Sequence, residues 1–197
     1  MRTMNKLSSL IQGLRRAVLI ISLLFVSSCR GPEPAEIKVL ATTSLISTIV
    51  SEIGRERVEV FTLVPGGMCP GHFDLKPSDI VKASKAELLL THGWEPWMEE
   101  LLKSCGERRP ATGALKTQGN WMVPPVHLEA VQEIAHLLST IDPDHAEFYR
   151  KHGNQYADAV EHEARRILES SKSVKRLKAL SSDHQREFLE WLGLEVV

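Results

Sequence analysis

Strand-like and helix-like segments alternate three times between residues 37 and 105, and this alternation most constrains how the chain can fold. Residues 37–43 (IKVLATT) are an apolar run between Pro-rich sequence and Ser44, the pattern of a buried strand. Residues 45–53 place apolar side chains at 45, 46, 49, 50 and 53, a helical stripe with Ser44 as N-cap and Gly54 as its stop. A second strand over 58–64, a short helix over 77–86, a third strand over 87–91 and a helix over 98–105 continue the pattern. Short connections between alternating strands and helices predict an α/β fold with a parallel, doubly wound sheet.

The connection after the second strand differs from the others. Residues 63–79 read LVPGGMCPGHFDLKPSD, and Pro65, Gly66, Gly67, Pro70 and Gly71 exclude regular structure there. The segment ends at a helix start, Pro77-Ser78-Asp79, where an acidic side chain is favoured by the positive helix end. Open α/β sheets bind ligands outside the carboxyl ends of their strands, so this is read as a binding loop. An ordinary strand-to-helix connection with an incidental histidine is the alternative. Cys69, His72 and Asp74, all able to hold a metal, lie within six residues. The Cys-x-x-His spacing lets a thiolate and an imidazole reach one ion, and a thiolate favours zinc over manganese. Asp74 fits a direct ligand, a carboxylate orienting the histidine, or a loop cap.

Beyond residue 105 the pattern loosens. Residues 106–118 are polar, with Pro110 and Gly113, and predict a surface loop; Trp121, Met122 and Val123 suggest a fourth short strand. Residues 126–138 carry an amphipathic helical stripe. The longest helical pattern runs from 144 to about 172, spanning about 45 Å, longer than one small domain needs. Gly153 and irregular apolar spacing oppose a coiled coil there. A strand near 179–181, a helix over 183–192 and a strand-like end at 194–197 follow, the last with no evident partner. Trp94 and Trp97 flank Glu95-Pro96 and fit either a pocket mouth or core packing.

The amino-terminal segment has the features of an export signal. Arg2, Lys6, Arg15 and Arg16 precede the apolar run AVLIISLLFV at 17–26, far short of the ~20 residues that span a bilayer as a helix. Val26-Ser27-Ser28-Cys29 resembles a bacterial lipobox, which implies lipid modification of Cys29. Residues 1–28 hold four of the 24 Lys and Arg and none of the 25 Asp and Glu, leaving 20 against 25 and a net charge near −5. That balance does not favour nucleic acid or an anionic membrane surface. Besides Cys29 there are Cys69 and Cys105, which could form one disulfide in an exported protein. Cys69 as a ligand with Cys105 as a buried thiol is equally compatible.

From residue 37 to residue 197 the chain resembles the zinc/manganese substrate-binding lipoproteins of bacterial ABC transporters, cluster A-I. The likeness runs through IKVLATTSLISTIV, VEVFTLVPGG, KPSDIVKASKAELLLTHGWEPWMEELL, the long helix and the closing WLGLEVV. The resemblance implies two α/β lobes joined by a rigid helix that clamp a divalent metal, pass it to a permease and its ATPase, and work as a monomer. It divides the chain into a signal peptide (1–28), a tether (29–36), a metal-binding lobe (37–141), a linking helix (142–176) and the beginning of a second lobe (177–197). An isolated first lobe offers half a site, which predicts weak metal binding.

The ligand positions depart from the family pattern. Where the family has Pro-His ahead of the Pro77 helix, this chain has Pro70-Gly71-His72, the histidine one place later. Asn120 stands before Trp121 where the family has its second histidine, and Ser-His-Asp becomes Ser182-Asp183-His184. His72, on the Gly/Pro loop three residues after Cys69, is the leading candidate ligand, with Cys69, Asp74, His127 and His184 completing the candidate set. His92, at a strand end beside Gly93, is a lesser candidate. The leading function is capture of zinc or manganese for an ABC importer; the same scaffold with another ligand, or an adhesin-like surface lipoprotein, are the alternatives. No Gly-x-Ser-x-Gly elbow, P-loop or His-Glu-x-x-His occurs, so an enzyme is not expected.

Overall fold

The computed structural model describes residues 37–197, so the signal peptide, tether and Cys29 lie outside the described residues. The elements are β1 (Ile37–Thr43), α1 (Ser44–Gly54), β2 (Val58–Val64), α2 (Pro77–Ala83), β3 (Leu88–Thr91), α3 (Met98–Ser104) and β4 (Ala111–Ala114). They continue with α4 (Pro124–Ile141), α5 (Ala146–Ser170), β5 (Lys178–Ala179), α6 (Asp183–Trp191) and β6 (Glu195–Val196).

Four strands form one parallel sheet in the order β2-β1-β3-β4, with Val39 opposite Val60 on one side and Leu88 on the other. Successive side chains of a strand point to opposite faces, and both faces of this sheet are covered. Val39 and Ala41 of β1 pack with α1, α4 and Tyr149, while Leu40 and Leu89 pack with Ala83, Trp97 and Leu101 on the other face. Val39, Leu40 and Leu89 are wholly buried, each apolar side chain contributing roughly 1.5–3 kcal/mol on leaving water. The doubly wound α/β class expected from the alternation is the one found.

Two local expectations are corrected. Residues 106–118 contain β4, which pairs with β3. Its residues ATGA are small and mostly exposed, so the edge strand leaves no apolar alternation to read. Gly113 is there because a Cβ would lie 2.9 Å from Leu90 Cδ2. Residues 121–123 are not a strand but a turn into α4. Trp121 and Val123 are apolar because they are buried in that turn.

The α1 boundaries follow the sequence with altered reasons. Thr43, not Ser44, is the N-cap, its hydroxyl accepting from the Ile46 amide at 3.5 Å. The helix does stop at Gly54, yet Gly54 has ordinary helical φ of −80° and the positive φ falls on Arg55. Glycine is required at 54 for room: a Cβ would sit 2.5 Å from Val58 Cγ2.

The long helix α5 is 25 residues, about 37 Å, with short 3-10 turns at Pro143–His145 and Ser171–Val174 taking up its expected ends. Its first half buries Tyr149, His152 and Gly153. At Gly153 a Cβ would lie 3.0 Å from that of Ala135, so the glycine sets how closely α4 and α5 approach. The carboxyl-terminal residues do find a partner: β6 pairs in parallel with β5, Lys178 opposite Glu195, closing a small βαβ unit around α6.

Candidate functional site

In the order β2-β1-β3-β4 the chain turns to the opposite side between β1 and β3, and in open parallel sheets ligands bind at the carboxyl ends beside such a switch. A cleft of about 580 Å³ opens there. Thr43 and Ser44 at the end of β1, Met68 after β2, and His92 and Trp94 after β3 form its sheet side. Asn120, Trp121, Met122 and the first turn of α6, with Asp183, His184 and Glu187, form the other.

The strand ends are fixed by one buried carboxylate. Glu95, 5% exposed, accepts hydrogen bonds from Thr42 Oγ1 and Thr91 Oγ1, both at 2.5 Å, and from the amides of His92 at 2.9 Å and Trp94 at 3.1 Å. Burial pushes its pKa up, but these hydrogen bonds outweigh burial and hold the carboxyl below its ordinary range. Gly93 takes a φ of +86°, which glycine adopts without cost, and the tight turn brings His92 over the end of β1.

His92 Nε2 meets Thr43 Oγ1 at 2.9 Å, so one threonine both caps α1 and positions the imidazole. The ring lies between Trp94, stacked at 5.7 Å, and Trp121, edge-on at 4.5 Å. Burial lowers the His92 pKa, leaving the ring neutral near pH 7. The sequence marked this residue only through its strand-end position beside a glycine.

The loop after β2 lines the cleft through Met68 and Pro70; Cys69 and His72 are exposed on the same loop and are not among the cleft-lining residues. Trp97 Nε1 donates to the Pro70 carbonyl at 2.8 Å, and Phe73 packs on Trp97 with ring centroids 5.1 Å apart. Trp97 is thus a core residue that pins the loop, whereas Trp94 is exposed at the cleft. His72 Nδ1 lies 3.4 Å from Cys69 Sγ. That hydrogen bond, helped by the Gly71 amide, lowers the pKa of the exposed thiol. Two ligands on one tetrahedral zinc, at about 2.3 Å for sulfur and 2.0–2.1 Å for nitrogen, stand about 3.6 Å apart, so the pair is spaced for a shared ion.

The other sequence candidates separate. His184 lines the cleft opposite the sheet. Asp74 is exposed just beyond the pair and does not line the cleft. His127 is engaged at both ring nitrogens, Nδ1 with the Trp121 carbonyl at 3.2 Å and Nε2 with Tyr156 Oη at 3.1 Å, and burial lowers its pKa. A carbonyl only accepts, so Nδ1 carries the proton and the tyrosine donates to Nε2. Asn120 ties α6 to the sheet lobe: its amide donates to Glu187 Oε2 and its Nδ2 to the His184 carbonyl, both at 2.8 Å. Among the described residues no three His, Cys, Asp or Glu side chains converge on one point. Cys69 and Cys105 are both free thiols, one exposed and one buried, so the single-disulfide alternative is not the arrangement found.

A parallel-sheet lobe, a long helix and a cleft at the switch point define an α/β binding-protein fold. The crystal structure of ZnuA has this fold, with a TM-score of 0.72 at 19% identity over 82% of this chain and 69% of that one. The chain belongs to the family described as zinc-uptake complex component A, periplasmic, whose model matches residues 39–197. It is 26% identical over 176 residues to the manganese ABC transporter substrate-binding lipoprotein PsaA of Streptococcus mitis, covering 73% of this chain and 56% of PsaA. It is also 26% identical over 188 residues to the iron ABC transporter substrate-binding lipoprotein MtsA of Streptococcus pyogenes, covering 80% and 59%. The chain thus spans just over half the length of these relatives.

Proposed function

We propose that this protein is an extracytoplasmic binding protein that captures a divalent transition metal for an ABC importer, zinc ahead of manganese. The observation that carries the reading is the Cys69–His72 pair, 3.4 Å apart on the loop whose Met68 and Pro70 line a cleft at the strand carboxyl ends. Thiolate and imidazole are donors for a borderline ion rather than for manganese, which prefers oxygen. His184 and His92 line that cleft and are the imidazoles this reading calls on to complete the shell, with Asp74 on the loop beyond His72 as a further carboxylate. His127, held at both nitrogens, serves the fold.

Residues 37–141 act as the metal-binding lobe, 142–176 as the linking helix and 177–197 as the start of a second lobe. Cys29 anchors the protein by lipid on the extracytoplasmic side, and the cargo passes to a permease driven by its ATPase. The role is binding without turnover. Family membership supports each of these points, and the named functions of PsaA and MtsA support the choice of metal transport.

Thermal unfolding of the protein with zinc, manganese, iron, nickel or cobalt tests the reading. A ligand that binds only the native state at a hundredfold excess over its Kd adds about 2.7 kcal/mol of stability. Zinc is expected to raise Tm, and Cys69→Ser with His72→Ala is expected to abolish the rise. A zinc-induced rise indifferent to both substitutions would remove the pair from the site.

A further inference from the structure

The cleft has room for a body larger than an ion. Its volume of about 580 Å³ falls within the range of small-molecule sites, about 300–1,000 Å³, whereas one water molecule takes up roughly 30 Å³. Large apolar side chains usually turn inward, yet Leu45, Met68, Trp94 and Met122 are 37%, 50%, 56% and 62% exposed, and all four line the cleft. A bare ion gains nothing from such walls. An organic body is stabilised by displacing water from them.

One wall is a stack of rings. Trp121, 5% exposed, meets His92 edge-on at 4.5 Å, and His92 stacks with Trp94 at a centroid distance of 5.7 Å and an interplanar angle of 20°. The Glu95 carboxylate holds the amides of His92 and Trp94, and Thr43 holds the His92 ring, so the stack is set before a ligand arrives. Trp94 is its outermost ring, an indole that suits a flat or positively charged group. The charge of the lining agrees. Asp183 and Glu187 are its carboxylates, and no Lys or Arg is among the lining residues. Asp183 stands 3.7 Å from Arg186 yet keeps 97% of its side chain exposed.

We propose that this cleft takes the divalent metal as a flat, positively charged chelate with a small aromatic nitrogen ligand, stacked on Trp94 and drawn in by Asp183 and Glu187. The proposal rests on the metal-capture reading and names the form of the cargo. The chelator brings its own donor atoms, so the cleft need not gather them; among the described residues no three metal-binding side chains converge. Cys69 and His72 are not among the lining residues, so their pair and this cleft can be tested separately.

The test is isothermal titration of the purified protein with the one-to-one zinc complex of 1,10-phenanthroline, a flat dication. Zinc alone, phenanthroline alone and the zinc complex of diethylenetriamine, which carries the same charge without a flat ring system, are run in parallel. The flat complex is expected to bind at least about tenfold tighter than either phenanthroline alone or the diethylenetriamine complex, a tenfold step being readily resolved. Trp94 is exposed, so Trp94→Ala leaves the core in place. It is expected to weaken the flat complex about five- to thirtyfold, the span of a lost cation–ring contact, with zinc alone within about twofold. Trp94→Phe is expected to recover part of the loss. A flat complex that binds no tighter than either comparison, or that ignores Trp94→Ala, overturns the proposal. If zinc alone still raises Tm through Cys69 and His72 in that case, only this proposal falls. If neither zinc nor the flat complex binds the parent protein, the metal-capture reading falls with it.

Discussion

Glu95 Oε1 accepts from Thr42 Oγ1 at 2.5 Å, joining the end of β1 to the turn that follows β3. With Thr91 and two backbone amides as further donors, this one carboxylate fixes the two strands that flank the cleft. Glu95→Ala strands those donors in a buried setting, where an unsatisfied polar group costs about 1–3 kcal/mol. Urea unfolding is expected to show a loss of about 3 kcal/mol or more. A loss under about 1 kcal/mol would mean that water replaces the carboxylate.

Stability is expected to fall as pH drops below about 6.5. His92, His127 and His152 all have pKa values lowered, chiefly by burial. A histidine with a folded pKa below its unfolded one gives stability that is complete above the unfolded value and lost as pH falls through the folded value. Tm measured from pH 7.5 to 5 is expected to decline, and His127→Gln is expected to flatten the decline. A Tm that holds steady across this range would contradict the burial assignment.

Alkylation should distinguish the two thiols. Cys69 is exposed with its pKa lowered by His72, whereas burial pushes Cys105 up. Iodoacetamide at neutral pH is expected to label Cys69 first, and His72→Ala is expected to slow that labelling. Labelling that proceeds equally fast without the imidazole would show that His72 does not activate the thiol.

Gly54→Ala is expected to destabilise, although alanine is the better helix former by about 1 kcal/mol. The added methyl meets Val58 Cβ at 2.6 Å, and overpacking of this kind costs about 1–3 kcal/mol. Chemical denaturation reads the sign; a stabilised variant would mean that β2 shifts freely away from α1.

The fold was legible wherever burial left a period in the sequence. β1, β2, β3, α1 and α5 were all written as apolar runs or stripes, because both faces of a parallel sheet must be covered. β4 was not, since an edge strand of Ala, Thr and Gly needs no apolar pattern, and Trp121 misled because a turn can be buried as deeply as a strand. Of the candidate site, the Gly/Pro loop announced Cys69 and His72 through their spacing alone.

Chain chemistry by itself determined the sheet class, the loop with its thiol and imidazole, and the family to which the chain belongs. Tertiary structure decided which histidines share a cleft. It set His92 beside Thr43 and His184 opposite, and it gave His127 to Tyr156. Linear spacing fixes what one loop can hold, but segments far apart in sequence meet only through strand order and helix packing.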